Sequence, residues 1–458
     1  MPIPTRLPTR ADLAETWALA LPVVTVQVGL MLMGVVDTML VGRVGPAALA
    51  ATALGNLAFV TITMAALGTL LVLDPIVSQA VGAGDEPAVR HGVQRGVLLA
   101  LLLSLPCSLL LFGAEAAFVL FRQPADVVPL AAGYALRTIP GVLPYLVFVA
   151  LRQSMQGLGR VRPIVVVIVL ANVVNAGLDL LLIYGGAGIP AMGVDGAAWA
   201  TTICRWGMLA GLLAAGWDVL GPRFRGEWRT ARQWAPLAAM LRLGVPIGVQ
   251  LELELSAFGA VALLMGQLGT SAMAAHQVAI NLASLTFMVP LGVGAAAAVL
   301  VGRAVGAGDA EGARRAARTG LVLGTSFMAG TAVLFLAVPG ALAHLYTEDR
   351  AVLGVTAMLL PIAGVFQVFD GMQAVLAGVL RGTGDTHAAL RANLVGFWGV
   401  GLPLSVALCF WAGLGAVGLW WGLVAGLLVV SLLLLWQARR RLAVPVARTQ
   451  VAEVAEGR

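Results

Sequence analysis

Apolar residues in this chain run in long blocks separated by short polar stretches. A bilayer core ~30 Å thick takes about 20 apolar residues per helix. By that ruler twelve spans are expected, near 15–41, 47–75, 95–120, 127–151, 163–184, 192–217, 239–265, 272–301, 316–339, 351–379, 389–411 and 415–438. The first block, from Glu15 to Val41, is too long for the apolar core of a cleavable signal peptide and is followed by many like it. It is expected to stay as the first span.

Sliding the chain by 224 residues superimposes Val81-Gly82-Ala83-Gly84-Asp85 on Val305-Gly306-Ala307-Gly308-Asp309. The same shift pairs Pro22 with Pro246, Gly42 with Gly266, Gly68 with Gly292 and Arg90 with Arg314, and nearly the same shift pairs Gly157 and Gly159 with Gly382 and Gly384. Each half holds six spans, and an even number returns the chain to its starting side, so the halves are parallel repeats about an axis along the membrane normal. Transporters are built this way, with substrate sites near the midplane. The expected fold class is an all-α integral membrane protein, twelve transmembrane helices in two six-helix lobes related by a parallel internal repeat. The expected divisions are an N-terminal tail 1–14, an N-lobe 15–217, an interlobe linker 218–238, a C-lobe 239–438 and a C-terminal tail 439–458.

Composition agrees: 60% of the 458 residues are hydrophobic and 11% charged, against roughly 25% charged in a soluble domain. The net charge of +6 does not read as a nucleic-acid surface, because it comes from arginine placed between apolar blocks, with no lysine at all. Of the 28 arginines, 23 lie at the ends that precede odd-numbered spans or in the tail, four lie at the opposite ends, and Arg205 stands inside a span. By the positive-inside rule both termini are expected to be cytoplasmic. Between Asp218 and Leu241, Arg223, Trp228, Arg229 and Trp234 fit either an interfacial helix or a solvated linker with anchoring aromatics. Cys107, Cys204 and Cys409 lie singly in apolar runs and read as packing residues.

A carboxylate at the centre of a span costs about 2.5–3.5 kcal/mol on insertion scales and needs a partner, a wet cavity or a function. Asp37, Asp179, Glu252, Glu254 and Asp370 stand deep in apolar runs, whereas Asp74, Glu115 and Asp195 lie nearer span ends, where snorkelling or capping accounts for them. Asn175 and Asp179 are four apart and share a helix face. With Asp37 and Thr201 at comparable depth they make a hard-oxygen cluster suited to a proton or a small monovalent cation, or to a structural hydrogen-bond network. In the second half Glu254 and Asp370 have no Lys or Arg within reach on their own helices, so protons can compete there with other cations. Glu252 points about 200° away from Glu254 around the helix, and Glu254 is the preferred cavity residue. The sequence leaves open whether Arg205 pairs with a carboxylate or reaches a vestibule, and His276 reads as a structural helix-end residue. There is no HExxH, GxSxG or GxxxxGK[ST] motif, so neither catalysis nor ATP hydrolysis is expected.

These residues resemble the multidrug and toxic compound extrusion (MATE) transporters, and the likeness runs from Thr16 to Trp436. It is carried by MGVVDTMLVG around Asp37, by Arg242 to Leu264, by Ala274 to Asp309 and by FDGMQAVLAGVLRGTGD from Phe369 to Asp385. Glu254 together with Asp370 is similar to the NorM-type branch. The resemblance implies two six-helix lobes and export of cationic or amphipathic drugs and dyes from the bacterial cytoplasmic membrane in exchange for sodium ions or protons. It implies an N-lobe ion site at Asp37, Asn175, Asp179 and Thr201 and a C-lobe cation or substrate site at Glu254 and Asp370. Either is a candidate sodium position, and Glu252 is an addition to the pattern. No cofactor, nucleic acid or ATP is expected, and the expected state is a monomer. The rival readings are a lipid-linked oligosaccharide flippase, which would want a large cationic cavity, and a membrane-embedded lipid-modifying enzyme, which would want a nucleophile or acid–base set at the interface.

Overall fold

The computed structural model describes residues 8–186, 188–226 and 228–449. The outer parts of both expected tails, with Arg6 and Arg458, lie outside the described residues. Twelve long helices follow one another: α1 Arg10–Gly42, α2 Pro46–Gly82, α3 Glu86–Phe112, α4 Val128–Gly157, α5 Arg162–Tyr184, α6 Val194–Ala215, α7 Trp234–Gln267, α8 Thr270–Gly306, α9 Ala310–Ala337, α10 Arg350–Gly382, α11 His387–Trp411 and α12 Gly415–Ala443. Among the described residues eleven of these are long and apolar enough to cross a bilayer alone. The other, α6, is so together with Trp217–Phe224, which it meets at an 87° bend.

Several helices overrun their expected ends, because turn chemistry rather than the edge of the apolar block stops them. In the repeated pentapeptide, Gly84 (φ 67°) and Gly308 (φ 72°) take the left-handed conformation that closes α2 and α8. The next residue then caps the following helix, Asp85 accepting from Ala88 N at 3.0 Å and Asp309 from Gly312 N at 2.8 Å. Gly159 and Gly384 (φ 70° and 80°) form a second matching pair of turns, and Gly193 and Gly415 (both φ 55°) a third. The sequence repeat is thus a repeat of backbone conformation.

Two expectations need correction. The third span does not continue to 120: α3 ends at Phe112, and Ala114–Leu120 forms a separate helix. Helix α2 does not stop at 75, but breaks at Leu71–Val72 and resumes as Leu73–Gly82. In the linker, for which the sequence left an interfacial helix or a solvated linker open, Trp217–Phe224 is followed by the single turn Trp228–Ala231, with the two held together by a Trp228 indole bond to Phe224 O (3.1 Å).

Two compact units emerge. One gathers the chain up to Val24, Ser78–Gly84 and Val249–Thr449; the other gathers Thr25–Val77 and Asp85–Gly248. The first is cored by edge-to-face aromatics, Phe258 on Phe366 and Phe397 and Phe366 on Trp420, at centroid distances of 5.6–5.9 Å. In the second, Gly244 and Gly248 of α7 pack so closely on α2 that a Cβ on either would strike the backbone of Thr69 or Ala65.

Candidate ion and substrate sites

In the unit holding Thr25–Val77 and Asp85–Gly248, α1, α5 and α6 bring Asp37, Asn175, Asp179 and Thr201 together, all buried. The one-turn spacing of Asn175 and Asp179 puts both on the face of α5 that meets α1. A single amide nitrogen, Asn175 Nδ2, donates to Asp37 Oδ1 and also to Asp179 Oδ2 (2.8 Å). The Thr201 hydroxyl lies 3.4 Å from Asp37 Oδ2 and 3.0 Å from its own helix carbonyl, Ala197 O. Two oxygens of this group, Asn175 Oδ1 and Asp179 Oδ1, are buried without a hydrogen-bond partner. Buried polar atoms are nearly always satisfied, so these two are available to a proton or a metal ion. No group of three or more His, Cys, Asp or Glu capable of holding a metal occurs among the described residues. Sodium here would therefore draw on amide and hydroxyl oxygens beside the two carboxylates, a donor set that suits a hard monovalent ion.

Arg205, one turn along α6 from Thr201, has its guanidinium 3.6 Å from the Phe59 ring centroid and 5.3 Å from that of Tyr145. Its partners are therefore aromatic faces, with Asp37 within electrostatic reach. Asp74 does not snorkel. It is buried at the start of the resumed helix Leu73–Gly82, where the helix dipole favours an acid, and accepts from Gln153 Nε2 at 2.9 Å. Asp195 pairs with Arg137 at 2.7 Å in the first turn of α6.

In the other unit Glu254 of α7 is the hub. Its Oε2 accepts from Gln373 Nε2 of α10 (2.9 Å) and from Asn393 Nδ2 of α11 (3.0 Å). Asp370, buried on α10 one turn before Gln373, lies within electrostatic reach of the Glu254 carboxylate. Glu252 has neither contact; its Oε2 is buried without a hydrogen-bond partner, and its backbone carbonyl accepts from Ser256. Gln367, a turn before Asp370, accepts from the hydroxyls of Thr286 (3.0 Å) and Thr331 (2.7 Å). His276 packs edge-on against Trp420 at 5.7 Å.

The amides Gln367, Gln373 and Asn393 were not among the expected site residues. A search for charge in apolar runs passes over neutral side chains. The signal that would have found two of them is spacing, since Gln367 and Gln373 stand three residues either side of Asp370 on one helix.

Helix content, the internal repeat and paired intramembrane acids define a multi-pass membrane transporter. The MatE family model matches residues 22–181 and 246–407, two stretches that begin 224 residues apart, the spacing of the repeat. The chain belongs to the MatE family. It is 38% identical over 455 residues to the probable multidrug resistance protein NorM of Mesorhizobium japonicum, covering 96% of each chain. It is likewise 38% identical over 431 residues to the multidrug resistance protein NorM of Burkholderia vietnamiensis, covering 92% of this chain and 93% of that one. Among solved structures, the eukaryotic MATE transporter AtDTX14 shares the fold with a TM-score of 0.84 at 23% identity, over 94% of this chain and 99% of its own. The Vibrio cholerae MATE transporter VcmN in its bent form does so with a TM-score of 0.84 at 19% identity, over 94% and 97%.

Proposed function

We propose that the protein is a secondary active multidrug antiporter. It exports cationic or amphipathic organic compounds across the bacterial cytoplasmic membrane in exchange for sodium ions or protons, by alternating access, as a monomer with both termini cytoplasmic and with no cofactor or ATP. The carrying observation is the pair Asp37 and Asp179 bridged by one amide, with oxygens of Asn175 and Asp179 left unpartnered in a buried site. A buried site of this kind is stable when a proton or sodium offsets its negative charge, and that requirement ties the ion to the conformation. Support for the cargo comes from the names of the NorM relatives and from Glu254, an acid held by neutral amides, with the buried Asp370 nearby. The test is uptake and efflux of a fluorescent organic cation in proteoliposomes with sodium and pH gradients imposed separately. One of the two gradients drives accumulation against the drug's own gradient; drug movement indifferent to both overturns the reading.

A further inference from the structure

In the unit that gathers Ser78–Gly84 with Val249–Thr449, the last turns of α2 cross the last turns of α8 with no layer of side chains between them. A Cβ on Gly82 would strike the backbone of Arg303, one on Gly306 the backbone of Gln79, and one on Gly302 the Ser78 hydroxyl. Ser78, Gln79 and Gly82 stand 224 residues before Gly302, Arg303 and Gly306, so repeat-equivalent positions face one another at this crossing. Small residues let helices approach closely in lipid, but they contribute few polar bonds to keep two elements together.

Gln79 contributes those bonds. It is buried, and both ends of its amide are engaged: Nε2 donates to Gly382 O at the end of α10 (2.9 Å), and Oε1 accepts from the backbone N–H of Thr449 (2.7 Å). Thr449 arrives there on a strap, Val444–Thr449, which leaves α12 in extended conformation at Val444. The strap folds back over the α8–α9 turn, where Val444, Pro445 and Val446 face Val305, Gly308 and Ala313 across a small cavity. Val446 packs on the core of the unit, and the Thr449 side chain lies against Gly384. Near the same crossing Asp12 of α1 pairs with Arg315 of α9 at 3.6 Å, on the wall of a cavity of about 290 Å³ that Gly82 and Arg303 also line.

We propose that Gln79 and the strap Val444–Thr449 form a latch that holds the α2–α8 crossing shut, and that the strap must release Gln79 before this end of the protein opens. The inference rests on the alternating-access reading above and adds to it a segment outside the twelve helices that sets how readily one side opens. One net hydrogen bond shifts an equilibrium by about 2- to 10-fold, so the latch biases the crossing without locking it permanently.

The test reads opening directly, in full-length protein whose three cysteines, Cys107, Cys204 and Cys409, are replaced by alanine and which carries Ser78→Cys as reporter. Ser78 is fully buried in the crossing, so a membrane-impermeant maleimide labels it when the crossing parts. Thr449→Pro removes the N–H that Gln79 accepts, whereas Thr449→Ala retains it. The labelling rate is expected to rise about 2- to 10-fold in Thr449→Pro, at least as much in Gln79→Leu, and not in Thr449→Ala. Equal rates in Thr449→Pro and Thr449→Ala overturn the latch. So does an equal rise at a second buried reporter, Thr356→Cys of α10, which would signal general loosening. Labelling is read without drug or ion gradient, so a strap effect in a protein that fails to couple transport would fault the antiport reading and leave the latch standing.

Discussion

Asn175 stands at the point where two carboxylates compete for one donor. Its Nδ2 serves both Asp37 and Asp179 while its own carbonyl oxygen and one oxygen of Asp179 go unpaired. Asp37→Asn keeps the volume of the site and an oxygen to accept from Asn175 but cannot change charge, so coupled export is expected to be lost while the protein still inserts at normal levels. Gradient-driven efflux of a fluorescent cation, measured beside membrane abundance, checks this, and unimpaired efflux would count against the ion site. Glu254→Gln likewise keeps acceptor capacity for Gln373 and Asn393 but removes the charge. Organic cations are expected to bind at least about tenfold more weakly, a loss of ~1.4 kcal/mol, with an uncharged analogue of equal size little changed. Equal losses for both would mean that shape, not charge, selects the cargo. Both acids could be read from the sequence because a carboxylate inside an apolar run is costly and conspicuous. Asn393 could not, because a neutral amide in such a run costs little and is set apart only by what packs opposite it, whereas Gln373 is marked only by its one-turn spacing from Asp370.

At the scale of elements, the number and order of the helices follow from apolar block length, and their ends follow from the paired glycine turns. The winding of α11 is a different matter. It is π-helical over Leu394–Gly401 and again over Ala407–Trp411. A π turn brings residues five apart onto one face, and Gly396 and Gly401 both lie against Gly426 of α12. Nothing local in the sequence specifies this winding; it depends on the glycines of a neighbouring helix. A Cβ on Gly422 of α12 would collide with the backbone of Ser405, so Gly422→Val must force α11 and α12 apart. The expected cost is about 1–3 kcal/mol or more from overpacking, seen as a lower midpoint of thermal unfolding in detergent. Gly330 of α9 has open space around it, and Gly330→Ala is expected to leave the midpoint unchanged or raise it, because alanine favours helix by roughly 0.5–1 kcal/mol. A reversed order of the two variants would mean that helix contact does not set the stability of this pair.

At the scale of the molecule, the repeat and the compact units divide the chain differently. The repeat separates it between α6 and α7, whereas α1 contributes to both units, its start to one and Asp37 to the other. Pro22 lies within α1 near that division, and a proline inside a helix permits a bend where its missing N–H frees a carbonyl. On the proposed antiport reading, an ion at Asp37 would act on one end of a helix whose other end carries the Asp12–Arg315 ion pair. An antiporter has to avoid carrying ion and drug together, and the least demanding device is for both to draw on the same negative charge, with the ion favouring one conformation and the drug the other. Coupling of that kind is reciprocal for equilibrium binding. Raising sodium or proton concentration is expected to weaken binding of a fluorescent organic cation by some factor, and saturating cation is expected to weaken ion binding by that same factor. Titrations of the purified protein at several sodium concentrations and pH values measure the first factor, and ion binding with and without drug measures the second. A drug affinity independent of both ions would rule out shared charge as the coupling device and would leave Asp37 and Asp179 a structural hydrogen-bond network.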